Sequence, residues 1–262
     1  MLRRLGLGTL VDRVRDRTLY RLGRVTVDVD GIALGGNAAH SHYLAELRDD
    51  ARERHMAALF EQAVPAGGLV LDVGAHLGYF TLLAARRGAH VIAVEPNPRT
   101  LEQLRENVRA NGAQDQVTIV AKALAGEPGR RRFHLSRAGD TSSLHEQEAT
   151  VGALDVEVTR ADALVGGRSV DVIKIDVEGG ELEALAGMGG TIAAAAGGLR
   201  LFIECNQDAL ERAGASAAAL VERLRALGLE PAVIDEANRA LRPVHGDPGG
   251  SLHYVNLLCV RA

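Results

Sequence analysis

The sequence has few aromatic residues and no excess of positive charge. Tryptophan is absent, aromatic residues make up 3% of the 262 positions, and the formal net charge is −4. Proteins that bind nucleic acid use basic surfaces to neutralise phosphates and, on single strands, aromatic side chains to stack bases. We therefore expect no nucleic-acid partner for this chain.

Cysteines and long apolar runs are also scarce. Both cysteines, Cys205 and Cys259, lie in apolar stretches typical of strands. This pattern favours small core residues in a reducing compartment over a disulfide framework. No apolar run is long enough to span a bilayer, and no secretory signal is visible. We expect a cytoplasmic protein without a stable membrane anchor.

The sequence predicts two parts, an N-terminal appendage at residues 1–64 and a main domain at residues 65–262. Residues 1–24 are rich in arginine and carry apolar residues at roughly helical spacing. They form either a basic amphipathic helix at a membrane surface or, as we favour, a helix packed on the domain or on a partner subunit, which leaves a homodimer open. Residues 25–34 alternate apolar and polar side chains around Asp30-Gly31, a hairpin signal. Residues 52–64 predict a helix that leads into the main domain.

A glycine-rich turn follows the first predicted core strand, residues 69–73. Gly74 and Gly78 break this strand and begin a helix, and a second strand at 90–95 ends on Glu95. In such a β-α-β unit, backbone N–H groups and the helix N-terminus can approach a polar ligand. The acid at the end of the second strand is placed to accept hydrogen bonds from a ribose diol. The pattern predicts a ligand that contains a nucleoside.

Two details favour S-adenosylmethionine over a nicotinamide cofactor. The spacing of Gly74 and Gly78 departs from the G-x-G-x-x-G pattern that a pyrophosphate needs. Asp72 is poorly placed for a pyrophosphate but suits an ammonium-bearing amino-acid end. Glu95 is followed by a Pro-Asn-Pro run, in which Asn97 is the predicted N-cap of the next helix.

Residues 126–159 do not have the pattern of a crossover helix. Strand-like stretches at 130–135 and 155–159 flank a polar segment of small residues. We predict a β-hairpin insertion with a flexible loop that lies over the site. The alternative is a solvated surface loop.

The predicted core strand at residues 170–177 ends in charged residues. Period-two alternation places Lys174, Asp176 and Glu178 on one side. At the carboxyl end of a strand these side chains face the cofactor cleft, where a lysine can orient a hydroxyl and a carboxylate can accept its proton. The alternative is a structural ion-pair cluster.

A metal ion is a further alternative, because Asp162, Asp176 and Glu204 are carboxylates that could converge on Mg²⁺. Three carboxylates without a histidine more often make hydrogen bonds, so we expect no resident metal.

The chain resembles the FkbM family of S-adenosylmethionine-dependent methyltransferases over about residues 52–260. The segment at 174–179, Lys-Ile-Asp-Val-Glu-Gly, is its most specific part. The matching positions are 70–80, 93–98, Asn107, Asn111, 142–144, 172–181, Leu185, Gly187, 202–204 and 256–258. The resemblance implies the class I methyltransferase fold, an α/β Rossmann-like, mostly parallel seven-stranded sheet with an antiparallel edge strand. It also implies O-methylation of a hydroxyl on a sugar, polyketide or other specialised metabolite.

The resemblance implies roles for residues on the rim of the sheet. Asp176 would face the methyl group and the acceptor, and the residue pattern adds Lys174 and Glu178 as catalytic candidates. Cofactor binding is implied for Asp72, Gly74, Ala75, His76, Gly78, Glu95, Pro96, Asn97, Ala123 and Leu124. Substrate binding is predicted for Ser142, Ser143, His145 and Glu204. His76 departs from the asparagine most frequent in the family. The expected partner is a small-molecule acceptor with a free hydroxyl; an N-methyltransferase for an aminosugar or amino acid and an inactive nucleoside-binding subunit are the alternatives.

Overall fold

The computed structural model describes residues 24–49, 53–136, 141–146, 150–195, 197–244 and 253–261. The basic segment at 1–24 lies almost wholly outside these residues, so its two predicted forms stay predictions. Among the described residues, no helix combines the length and apolar character needed to cross a bilayer.

The described strands form three sheets. They are β1 Val25–Val29, β2 Ile32–Gly36, β3 Leu69–Val73, β4 His90–Val94, β5 Val117–Val120, β6 Ala123–Leu124, β7 Gly129–Ser136, β8 Thr150–Thr159, β9 Val172–Ile175, β10 Arg200–Asn206, β11 Leu229–Asp235, β12 Ala240–Pro243 and β13 Tyr254–Arg261.

The described α-helices cover the central sheet and its connections. They are α1 Ser41–Arg48, α2 Arg54–Ala63, α3 Tyr79–Arg86, α4 Pro98–Ala110, α5 Ala161–Val165, α6 Glu181–Ala186, α7 Gly189–Ala194, α8 Gln207–Arg212 and α9 Ala217–Ala226. A 3-10 turn at Ala38–His40 precedes α1.

The central sheet has the strand order β12-β11-β13-β10-β9-β3-β4-β5. Neighbouring strands from β10 to β5 pair in parallel, whereas β13 is antiparallel to both β10 and β11. The predicted α/β fold with an antiparallel edge is confirmed. The sheet has eight strands rather than the expected seven, because the chain turns after β11 and pairs back as the edge strand β12.

The continuous apolar run of β3 follows from burial on both faces of the sheet. Val70 belongs to one hydrophobic core, and Leu71 and Val73 belong to the core on the other face. A strand covered by helices on both sides needs apolar residues at successive positions. Asp72 is the exception to the apolar pattern, since it is an acidic residue whose side chain is fully buried in the same strand.

The predicted hairpin at 25–34 is confirmed as β1 and β2, joined through Asp30 and Gly31 with positive φ. The amide of Asn107 on α4 holds it to the main domain. Asn107 Oδ1 accepts from the Gly35 N–H at 2.8 Å, and Nδ2 donates to the carbonyls of Gly35 and Leu77 at 2.9 and 2.8 Å. The division at residue 64 stays a prediction. Helix α1, which follows the hairpin, was not predicted.

The insertion is the predicted β-hairpin. Strand β7 pairs with β8 in antiparallel fashion, and β6 adds to β8 in parallel. The resulting small sheet stands beside the carboxyl end of β5, on the same rim as β3, β4 and β9.

Candidate active site

A cleft opens where the strand order reverses between β3 and β9. The empty space at its walls, with the open mouth included, is about 940 Å³. Ligands of open α/β sheets bind in this crevice, outside the carboxyl ends of the strands. Of the residues predicted for the site, the cleft is lined by Gly74, Ala75, His76, Glu95, Pro96, Ala123, Leu124, Ser142, Lys174, Asp176 and Glu178.

The glycine turn after β3 is shaped by the packing of the chain itself. Gly74 has φ +79°, and a Cβ at this position would overlap the carbonyl oxygen of Asp176. Gly78 has φ +92°, and a Cβ there would lie 2.5 Å from Leu104 Cδ1 on α4. Gly78 is not among the residues that line the cleft, and its lack of a side chain leaves room for Leu104 of α4. Gly74 allows the two segments that bound the cleft to touch.

Glu95 ends β4 with its carboxylate held by backbone donors. Oε2 accepts from the His76 N–H at 3.0 Å and Oε1 accepts from the Asn97 N–H at 2.8 Å. Burial raises the pKa of Glu95 to about 7, and the two backbone hydrogen bonds act in the opposite direction. A carboxylate has about four acceptor positions, so each oxygen retains a lone pair for a ligand hydroxyl. Asn97 is the predicted N-cap and accepts from the Arg99 N–H, so its side chain does not line the cleft.

Lys174 connects the glycine turn to the acidic end of β9. Its Nζ donates to the Gly74 carbonyl at 3.0 Å and lies 3.3 Å from Asp176 Oδ2 and 3.8 Å from Asp72 Oδ1. Burial alone would lower the pKa of Lys174, but the surrounding carboxylates, first Asp176 and then Asp72, raise it to about 12. The ammonium group therefore stays charged and holds these segments together.

Asp72 lies beneath the cleft rather than on its surface. It is fully buried, and its Oδ2 accepts from Thr81 Oγ1 at 2.5 Å. The prediction that Asp72 contacts the methionine end of the cofactor is not supported by this position. Asp72 acts on the site through Lys174, its in-register neighbour on β9, whose Nζ lies 3.8 Å from Asp72 Oδ1.

Three carboxylates gather at the ends of β9 and β10. One oxygen from each of Asp176, Glu178 and Glu204 lies within 4.8 Å of the others. Asp176 and Glu178 line the cleft, and Glu204 is buried behind them. Burial, and then the charges of Glu178 and Asp176, raise the pKa of Glu204 well above its usual range. Glu204 was predicted to bind substrate, but it does not line the cleft.

The set Asp162, Asp176 and Glu204 considered for a metal is not brought together. Asp162 belongs to α5, where Oδ1 accepts from the N–H and hydroxyl of Thr191 at 2.7 and 2.9 Å. Its other oxygen pairs with Arg160 at 3.0 Å. Glu178 takes the place of Asp162 beside Asp176 and Glu204.

Comparison of the sequence with known protein families identifies the family of this chain. The methyltransferase FkbM domain matches residues 72–230, more than half of the chain and the whole rim described above. The chain belongs to the FkbM methyltransferase family. It is therefore an S-adenosylmethionine-dependent methyltransferase of the class I fold, which confirms the predicted enzyme class and cofactor.

The chain is similar to proteins whose names give different acceptors. The chain is 28% identical over 185 residues to the hexuronic acid methyltransferase AglP of Haloferax volcanii, which covers 68% of this chain and 75% of AglP. It is 34% identical over 101 residues to an arginine N(omega)-methyltransferase of Streptomyces achromogenes subsp. streptozoticus, covering 37% of this chain and 28% of that protein. An rRNA methylase from Streptococcus thermophilus shares the fold, with a TM-score of 0.51 at 12% identity, over 80% of this chain and 96% of the methylase.

The cleft of this FkbM methyltransferase fits S-adenosylmethionine. Glu95 presents carboxylate oxygens where a ribose diol can donate, and its backbone partners fix their orientation. Ala123 and Leu124 of β6, with Pro96, form an apolar edge suited to an adenine ring. The backbone of Gly74 and Ala75 also lines the cleft, and the amino-acid part would be held there. These contacts with the cofactor stay predictions.

Residues of the insertion line one side of the cleft. Residues 137–140 and 147–149 of the predicted loop lie outside the described residues, so its position over the site stays a prediction. Phe133 of β7, Ser142 and Leu144 line it. Ser143 is buried, and its hydroxyl donates to the carbonyl of Glu178 at 2.8 Å. Ser143 therefore positions the acidic segment and does not face an acceptor.

His145 was predicted to bind substrate and lies outside the cleft lining. Its Nε2 is 3.7 Å from Glu183 Oε2. Burial lowers the pKa of His145, while the charge of Glu183 acts in the opposite direction.

Sequence reasoning missed the contribution of the appendage. Tyr43 of α1 and Glu53, just before α2, both line the cleft. The Tyr43 ring meets the His76 ring edge to face, with centroids 4.8 Å apart. Glu53 Oε1 accepts from Asn256 Nδ2 at 3.1 Å. No local motif marks either residue, because both reach the site through long-range packing.

Proposed function

We propose that this protein transfers the methyl group of S-adenosylmethionine to a hydroxyl of a sugar, glycoside or other specialised metabolite. The observation that carries the proposal is the position of Asp176 and Glu178, whose carboxylates line the cleft beside the Gly74 turn. A proton acceptor next to the methionine end of the cofactor is what an uncharged, weakly acidic hydroxyl requires. The hexuronic acid relative supports a sugar acceptor.

Bound S-adenosylmethionine supplies a methyl group on a positively charged sulfur; the acceptor oxygen bonds to the methyl carbon, the carbon–sulfur bond breaks and the hydroxyl proton leaves. Asp176 receives that proton, since it lines the cleft at the end of β9. Lys174 is committed to Gly74 and to two carboxylates, so it holds Asp176 in place. The insertion excludes water from the opposite side through Phe133 and Leu144.

Nitrogen methylation of an amine or guanidine is the second candidate function. The cleft lining carries the carboxylates of Glu53, Glu95, Asp176 and Glu178, which attract a cationic acceptor. The arginine methyltransferase relative points the same way, although the alignment covers 37% of this chain. The two functions differ in the atom that gains the methyl group, which makes them separable by product analysis.

The deciding experiment incubates the full chain with S-adenosylmethionine and a panel of hexuronic acids, neutral glycosides, aminosugars and amino acids. Formation of S-adenosylhomocysteine identifies an acceptor, and mass spectrometry with NMR locates the new methyl group. We expect transfer to a sugar oxygen. Transfer to nitrogen alone would replace the proposal with the second candidate. No product with any acceptor while S-adenosylmethionine binds would support the inactive nucleoside-binding subunit.

The proposal also covers the partners, the location and the oligomeric state of the protein. The partner is a single small molecule with a free hydroxyl, and no nucleic acid or stable membrane anchor takes part. We propose a cytoplasmic location and keep a homodimer as an open alternative. Size-exclusion chromatography with light scattering measures the oligomeric state directly.

A further inference from the structure

We propose that Asp176, Glu178 and Glu204 form a binding site for one divalent cation of the Mg²⁺, Mn²⁺ or Ca²⁺ type. The inference deepens the proposed function and rests on it where it concerns the acceptor, since the cation would hold the acceptor hydroxyl. The cation-binding part stands on the geometry of the three side chains.

The three carboxylates are spaced for a single ion. One oxygen from each lies within 4.8 Å of the other two. Opposite ligands of Mg²⁺ are about 4.2 Å apart, and those of Ca²⁺ about 4.6–5.2 Å apart, given their usual ligand distances. Three oxygens at this separation can meet one cation, and the open cleft beside Asp176 and Glu178 leaves room for water and an acceptor oxygen.

A buried oxygen without a donor is the second observation that points to a cation. Glu204 is 2% exposed, and among the residues that the structure describes no hydrogen-bond donor reaches its Oε2. Buried polar atoms almost always have a partner, and an orphaned one requires an explanation such as an ion. The Glu204 carboxylate belongs to the cluster, since one of its oxygens lies within 4.8 Å of an oxygen of Asp176 and of Glu178, so a cation between the three would give this carboxylate a partner.

The charge of the cluster favours a divalent cation over the ammonium or guanidinium of an acceptor. Three carboxylates lie together in this cluster, and Lys174 Nζ lies 3.3 Å from Asp176 Oδ2. A divalent ion brings two positive charges to the three side chains, whereas a monovalent group brings one. Buried charges are retained when they are paired or coordinate a metal.

The segment that carries two of the ligands is held in place by its surroundings. Ser143 Oγ donates to the Glu178 carbonyl at 2.8 Å. Glu181 Oε1 accepts from the N–H groups of Val177 and Gly179, both at 3.2 Å. A site held this way keeps its ligands in position before the ion arrives. An acceptor hydroxyl on the ion would lose its proton more readily, because the cation stabilises the oxygen anion.

The test measures Mn²⁺ binding to the full chain after dialysis against EDTA, without cofactor or acceptor, by electron paramagnetic resonance. Glu204→Gln keeps the shape of the side chain and removes its charge. Asp162→Asn is the matched control, because Asp162 is a carboxylate engaged with Thr191 and Arg160 outside the cluster. Circular dichroism confirms that each variant folds. We expect one Mn²⁺ per wild-type chain, the same in Asp162→Asn, and at least tenfold weaker binding in Glu204→Gln.

The absence of Mn²⁺ binding at millimolar concentration would overturn the site, as would equal binding in wild type and Glu204→Gln. An amine or guanidine acceptor that binds the metal-free chain and weakens in Glu204→Gln, with no Mn²⁺ bound, would assign the cluster to a cationic acceptor. Mn²⁺ binding without transfer to any hydroxyl would refute the proposed function and leave the cation site. Hydroxyl methylation that is unaffected by EDTA would leave the proposed function and refute the role of the cation in holding the acceptor hydroxyl.

Discussion

Gly74 and Asp176 are in backbone contact across the cleft floor, because the glycine has no Cβ and the carbonyl oxygen of Asp176 occupies the space that a Cβ would fill. The Asp176 N–H also donates to the Val73 carbonyl at 3.0 Å. The turn expected to hold the cofactor and the segment expected to act on the acceptor are thus one rigid unit. In-line methyl transfer needs such fixed distances between the two reactants.

A side chain at Gly74 should therefore destabilise the fold beyond the strain of a positive φ. Gly88 is the matched control, since it has φ +82° and no atom of the described residues lies within 4 Å of the position that its Cβ would take. We expect Gly88→Ala to lower the free energy of unfolding by roughly 1–2 kcal/mol. Gly74→Ala adds a main-chain overlap and should lower it by about 3 kcal/mol or more. Urea denaturation measures both. Equal losses of unfolding free energy in the two variants would mean that the contact with Asp176 does not contribute to the stability of the fold.

The carboxylate of Glu95 should determine much of the cofactor affinity. Glu95→Gln keeps the side-chain shape but removes the charged acceptor for two ribose hydroxyls, and on the order of 1–3 kcal/mol of binding free energy should be lost. Calorimetry with S-adenosylmethionine measures this change. Glu61→Gln is the control, because Glu61 pairs with Arg86 outside the cleft. Unchanged affinity in Glu95→Gln would remove the ribose assignment.

Cofactor affinity should also depend on pH through the same group. Burial raises the pKa of Glu95 to about 7, and a diol that donates hydrogen bonds prefers the ionised carboxylate. Affinity should be constant well above pH 7 and fall below it, approaching tenfold per pH unit. For folding without cofactor, the pH dependence has the opposite sign. Because the pKa of Glu95 is raised in the folded chain, the free energy of unfolding should fall as pH rises from about 4.5 to 7. Glu95→Gln should flatten both profiles; a pH-dependent affinity that persists in this variant would assign the titration elsewhere.

The sequence was informative where local chemistry decides local structure. The run at Leu69–Val73, Gly74 and the Asn97 cap predicted β3, its turn and the start of α4, because an apolar strand, a positive φ and a helix cap need particular residues at adjacent positions. The acids at strand ends predicted the rim on which the site lies.

How deeply a side chain is buried in the site was harder to predict than where the residue lies along the rim of the sheet. Asp72 and Glu204 end or approach the ends of strands, yet both are buried below the cleft surface. Strand alternation and neighbouring helices decide which face a side chain reaches, and these depend on tertiary packing. Tyr43 and Glu53 were missed for the same reason, since distant segments carry them into the cleft.

Asp176 should matter more for turnover than for cofactor binding. Its carboxylate lines the cleft, and Lys174 fixes it from behind at 3.3 Å. Asp176→Asn keeps the shape of the side chain and removes the charge that accepts the acceptor proton. A positioned base contributes about 10²–10⁴-fold to such steps, so the rate of methyl transfer should fall at least tenfold while S-adenosylmethionine affinity changes little.

Single-turnover kinetics and calorimetry on the same preparation separate the two effects in Asp176→Asn. Asp208→Asn is the control, because Asp208 is exposed on α8 and lies 3.8 Å from His253 Nε2. A collapse of affinity with unchanged single-turnover rate at saturation would place Asp176 in the cofactor site. If rate and affinity both stay the same, the cluster is structural and another group accepts the proton. If the loss of rate in Asp176→Asn is largest at high pH, Asp176 is not the base. At high pH a hydroxyl acceptor needs the least help to lose its proton.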